Sequence, residues 1–169
     1  MDLNRLTLRS REALTQAQQV AAERNHQQVE PEHLLDALLS DPEGVIYPLL
    51  HALGLSPRAV RDPLEERLAR IPRVYGPQQD VAMGMATRRV LERAFAEAAA
   101  LSDDYVSTEH LLLAMLEGAT DVARLLTDAG VTREGVLGAL AQVRGRQRVT
   151  DENPEDKYQA LERYGRDLT

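Results

Sequence analysis

Apolar residues recur along this chain at three- and four-residue intervals, the spacing of helices that bury one face. Ala13, Leu14, Ala17, Val20 and Ala21 predict a helix from Thr7 to Arg24, with the Thr7 hydroxyl as N-cap and Asn25 as the stop. Pro31 suits the first turn of a second helix, where its missing N–H is not needed, and Leu34, Leu35 and Leu38 form its inner face. After the turn-forming Asp41-Pro42-Glu43-Gly44, a short third helix carries Ile46, Leu49, Leu50 and Leu53 up to Gly54. A fourth carries Val60, Leu64 and Leu68, opened either by Ser56-Pro57 or, since Pro63 would break an interior turn, only from Pro63. Ile71 to Met85 holds Pro72, Gly76, Pro77 and Gly84 and reads as extended and irregular. The plan then repeats. A helix spans Thr87 to Leu101, and Ser107, Asp121 and Thr132 are the expected caps of three more.

The repetition is literal at its centre. Val29 to Leu39 and Val106 to Leu116, 77 residues apart, share seven of eleven residues, including Glu-His-Leu-Leu. Ala13-Leu14, Ala17 and Ala21 align with Val90-Leu91, Ala94 and Ala98 at the same offset. Leu49-Leu50 and Gly54 align with Leu125-Leu126 and Gly130 at an offset of 76. An internal duplication of this kind organises any fold built on it. Each copy is too short to bury more than a modest core, so the two are expected to pack together. The expected boundaries are 1–145 for the domain, with repeat one about 1–71, a joining segment 72–86 and repeat two about 87–145. Residues 146–169 turn polar and are expected to be a linker, with one short amphipathic helix on Tyr158, Leu161 and Tyr164.

Composition narrows the chemistry. There is no cysteine, which removes disulfides, thiolate metal sites and thiol nucleophiles together. Met1 to Arg5 shows no secretory signal and no apolar run is long enough to span a membrane, so the expected location is cytoplasmic, without a membrane partner. The net charge is −7 with arginine and glutamate interspersed. No nucleic-acid partner is expected, since Arg144, Arg146 and Arg148, the densest basic cluster, read as a solvated tail. The only lysine, Lys157, lies in no phosphate-binding loop, so this chain is expected to hold no cofactor and to be no enzyme. His33 and His110 occupy equivalent places, each after a glutamate. Packing and hydrogen bonding at a helix start is one role for them; a metal or acid–base role is the other.

The doubled Glu-His-Leu-Leu motif, the Leu6-Thr7 start and the Gly54 and Gly130 helix ends resemble the N-terminal domain of Clp-type AAA+ unfoldases. Leu3 to Thr7, Arg70 to Val74 and Tyr158 to Thr169 resemble the ClpB-type disaggregases within it. The resemblance implies an all-α fold: two four-helix repeats packed with pseudo-twofold symmetry. It implies a non-catalytic, mobile domain that captures unfolded or aggregated proteins and passes them to a hexameric motor, and ATP and magnesium would belong to that motor, beyond Thr169. In ClpC- and ClpA-like relatives it implies adaptor docking instead, or recognition of phosphorylated arginine.

Client capture without sequence preference requires a shallow groove of aliphatic and methionine side chains. The resemblance places it near the first helix of repeat two, on Leu91, Val90 and Phe95; Met83 and Met85 would edge it. Leu91 reads equally as core, as its counterpart Leu14 does. Arg93, Glu97 and His110 stand where a greasier groove would carry apolar residues. Thr7, Asp103 and Glu109 form either a polar rim to that groove or a cap, a turn former and a helix-start carboxylate. For phosphoarginine, Glu32 with Thr7 would form one pocket; the second is poorer, because offset 77 sets Gly84 against Thr7.

Overall fold

A computed structural model describes residues 2–76, 80–145, 149–150, 152 and 154 of the 169. A single 3-10 turn, Leu3–Arg5, leads into α1 (Leu8–Glu23), β1 (Gln28–Val29), α2 (Pro31–Leu39), α3 (Ile46–Ala52) and α4 (Arg58–Arg70). Then follow β2 (Ala82–Met83), α5 (Met85–Ala100), α6 (Thr108–Leu116), α7 (Asp121–Ala129) and α8 (Arg133–Arg144). The fold is all-α, with four helices from each repeat as the period predicts. Basic Arg146 and Arg148 and the helix expected on Tyr158, Leu161 and Tyr164 lie outside the described residues.

The local signals explain most helix ends. Thr7 caps α1, its hydroxyl accepting from the Ser10 N–H at 3.2 Å. Asn25 stops α1 in the left-handed region, φ 60°, which asparagine tolerates better than most residues. Gly130 ends α7 at φ 103°, where a side chain would be strained. One open alternative is settled and two expectations are corrected. Helix α4 starts at Arg58 and runs through Pro63, because tertiary packing of Val60, Leu64 and Leu68, all fully buried, outweighs the lost backbone bond. Helix α5 starts at Met85 with Gly84 before it, two residues ahead of Thr87. The Thr120 hydroxyl, not Asp121, caps α7, accepting from the Ala123 N–H at 3.1 Å.

Helix α1 packs on α2 and α5 on α6, while α3 packs on α8 and α4 on α7 across the repeats. One aliphatic core runs through both copies, from Leu34, Leu35 and Leu50 to Leu91, Leu111 and Leu126. The copies are also stitched edge to edge. β1 of repeat one pairs in parallel with β2 at the start of repeat two, Val29 opposite Met83. The same pairing recurs with roles exchanged: Leu6, ahead of α1, bridges Val106, ahead of α6. These are equivalent contacts under the pseudo-twofold, and each ties the head of one repeat's first helix to the head of the other repeat's second. The joining segment, expected to be irregular, supplies one of those edges.

Candidate functional site

The crossed pairing decides which predicted site residues meet. Thr7 donates its N–H to the Val106 carbonyl at 3.0 Å, and the Val106 N–H returns to Arg5 at 2.8 Å. Thr7 therefore stands at the head of α6, the helix of Glu109, and not at the head of Glu32's helix. Gly84 takes that second place, its N–H on the Val29 carbonyl at 3.0 Å. A Cβ on Gly84 would lie 3.0 Å from the Val29 carbonyl oxygen, so this close approach of backbones favours glycine there. The Thr7–Glu32 pocket drawn from the resemblance is thus re-paired as Thr7 with Glu109 and Gly84 with Glu32. Thr7 and Glu109 are fully buried, and Glu32 is nearly so, 3.5 Å from Arg67.

The two equivalent histidines sit at N3 of α2 and α6. His33 Nδ1 accepts from the Glu30 N–H and His110 Nδ1 from the Ser107 N–H, both at 2.8 Å. Each takes the place a glutamate holds in a capping box. Their Nε2–H groups must then donate onward, and here the repeats differ. His110 meets Asp103 Oδ2 at 2.7 Å, and Asp103 also receives Arg144 and the Val149 N–H. Burial pushes Asp103 up, but these donors outweigh it and hold the carboxyl at about 2. His33 instead meets His26 Nδ1 at 2.7 Å. His26 occupies the position of Asp103 in the first repeat, 77 residues earlier. Burial, then the neighbouring His26 and Arg24 charges, lower His33 to about 4. Asp103 is therefore a buried counter-ion, and both histidines are helix-start acceptors.

Leu91 and Val90 lie inside the core, 0% and 4% exposed, because they fill the same inward stripe as Leu14 and Ala13 in α1. Phe95 is half-buried under the Arg5 guanidinium, 5.9 Å from its ring centre. On another side of α5, Glu97, 1% exposed, is clamped by Arg133 at 2.7 and 2.8 Å and by Arg93 at 2.9 Å. Burial raises the Glu97 carboxyl; the two guanidinium groups reverse this and hold it below the usual range. Arg93, Glu97 and Arg133 thus form a charged ridge on α5 away from Leu91 and Phe95. Met85 is exposed at its start and Met83 half-buried on β2.

An aliphatic-floored cleft lies elsewhere, between α1 and α2, where periodicity alone gave no sign of it. It holds about 350 Å³ over Ala13, Ala37, Leu38 and Ile46. Its rim is polar: Arg9, Glu12, Gln16 and Asp41, with Arg9 and Asp41 paired at 2.7 Å. Thr108, the residue before Glu109, closes one end, so the cleft opens beside the Thr7–Glu109 junction. Among the described residues no group of three His, Asp or Glu side chains converges on a point that would hold a metal ion. No helix there is long and apolar enough to cross a membrane.

Crossed helix heads, a doubled motif and a shared aliphatic core define a two-repeat helical domain of a single architecture. Residues 5–129 match the family described as the Clp repeat (R) N-terminal domain, and the chain belongs to that family. Similar curated proteins are the chaperone protein ClpB of Nitratidesulfovibrio vulgaris, 42% identical over 99% of this chain, and that of Bacillus cereus, 40% identical over 99%. The ClpB of Mycobacterium tuberculosis is 38% identical over the full chain. In each case the chain spans only 20% of the relative's length. Among solved structures, the Hsp104 N-terminal domain from Candida albicans has a TM-score of 0.77 at 20% identity, covering 89% of this chain and 98% of that one. The ClpV N-domain in complex with a VipB peptide has a TM-score of 0.65 at 23% identity, covering 85% and 89%. These two likenesses establish the shared fold.

Proposed function

We propose that this domain is the non-catalytic client-capturing module of a ClpB-like chaperone. It holds unfolded or aggregated segments loosely and hands them to an ATP- and magnesium-dependent motor encoded beyond it. The observation that carries this reading is the cleft between α1 and α2, with its aliphatic floor and polar rim. The aliphatic floor accepts varied side chains at modest affinity, while Glu12, Gln16 and the Arg9–Asp41 pair can orient an extended backbone. The ClpB relatives are chaperones, and the ClpV N-domain takes up a peptide on the same fold; both support the reading. Burial of Leu91 and Val90 in the core supports placing capture at this cleft rather than on the Leu91 face.

The test is titration of the domain with an unstructured, apolar-rich polypeptide, followed by amide chemical shifts. Shifts around Ala13, Ala37 and Ile46, abolished by Gln16→Trp with the fold intact, are expected. Shifts confined to the α5 ridge, or uptake only of a folded adaptor, would overturn the reading in favour of an adaptor-docking role.

A further inference from the structure

The pseudo-twofold relates the α3–α8 seam to the α7–α4 seam, yet the two are filled differently. In the first, Leu53 lies on Gly135 of α8, so close that a Cβ on Gly135 would stand 2.9 Å from Leu53 Cδ2. In the second, the offset of 76 puts Ala129 where Leu53 would be and Ala59 where Gly135 would be. An isobutyl group is thereby replaced by a methyl. A cleft of about 480 Å³ opens at that place, walled by Ala59, Pro63, Leu125 and Ala129.

Two further features point outward from this cleft. Pro63 has no N–H to give the Ala59 carbonyl one turn earlier, whereas its counterpart Ala139 has one. The charges around the opening are also ordered along it. Arg67 reaches Asp121 at 2.6 Å, which sets the C-terminal end of α4 against the start of α7. Arg70 is exposed at that end, Asp128 toward the other, and Glu66 and Arg124 are exposed between them. Those four charges form no ion pair among the described residues.

We infer that the α4–α7 cleft docks an extended segment of another protein, separate from the client cleft on α1 and α2. The segment carries one leucine-sized aliphatic side chain, an acidic residue facing Arg70 and Arg124, and a basic residue facing Asp128. The aliphatic side chain takes the volume that Leu53 fills in the other seam. Arg70 and Asp128, at opposite ends of the opening, fix its direction.

Fluorescence anisotropy of a short labelled peptide of that pattern, against the full chain, tests this. Saturable binding is expected, weakened about tenfold or more when the peptide leucine becomes serine. Ala129→Leu places in this seam the side chain its twin already holds; it should keep the fold by circular dichroism and weaken binding by a similar factor. Arg124→Glu should weaken the original peptide and recover affinity for the charge-reversed one, which decides the matter even if Ala129→Leu misfolds. Gln16→Trp should change nothing. Affinity indifferent to the peptide leucine and to Ala129→Leu would overturn the inference. So would concentration-dependent self-association abolished by Ala129→Leu, since the occupant would then be a second copy.

Discussion

Acid should destabilise the fold through the His33–His26 pair, and His26→Asp, which supplies a carboxylate like the one that partly offsets burial at His110, should reduce that loss. His33 is fully buried, its Nδ1 committed to the Glu30 N–H and its Nε2–H to His26. Protonation forces a second proton onto a pair that has no carboxylate between its rings. A histidine that titrates near 6.5 in the unfolded chain and about 4 in the fold binds protons preferentially when unfolded. Its contribution to stability is complete above pH 6.5, falls through the window, and is lost below about 4. The loss is about 3 kcal/mol. His26, lowered by burial and then by Arg24 and Arg73, acts in the same sense. Glu30 and Asp36, both raised by burial, act in the opposite sense as they protonate, so the comparison with the variant isolates the pair. Urea denaturation across that window should show His26→Asp losing much less stability than the wild type. The introduced carboxylate then receives the His33 proton as Asp103 receives that of His110. Equal losses in the two proteins would refute the reasoning.

Asp103 contributes in a lower window: its stabilisation is present above pH 3.8 and lost as pH falls toward about 2, so Asp103→Asn should flatten an acid titration there. Arg144→Met strands the buried Asp103 charge, and urea melts at neutral pH should report a loss of about 3–5 kcal/mol. Leu91→Ala should cost about 2–5 kcal/mol, and Leu91→Asp should lose helical circular dichroism altogether, as expected of a core side chain rather than a groove lip. Pro63→Ala restores a donor inside α4 and should raise the melting temperature, by up to about 3 kcal/mol of stability.

The helices were legible because their faces are aliphatic at helical spacing, and the pseudo-symmetry because Glu32-His33-Leu34-Leu35 is repeated as Glu109-His110-Leu111-Leu112. The crossed pairing was not. Gln28–Val29 and Ala82–Met83 are two residues each, too short to show a period, and their partners are remote in sequence. Burial of Leu91 was also undecidable from spacing, since a core stripe and a groove wall use the same interval. The clefts depend on which side chains are small where two helices cross, which is a property of the pair. One signal was readable and passed over: at offset 77, His26 stands against Asp103, so the two histidine sites differ in their acceptor.

The exchanged edges have a consequence for assembly. Neither half contains the partner for its own leading segment: Leu6 needs Val106, and Met83 needs Val29. A polypeptide holding only one half would leave both of its edges open and would complete them by clasping a twin. The domain is in this sense a dimer written on one strand of peptide. Two separately expressed halves should find each other in solution and regain the melting transition of the whole domain.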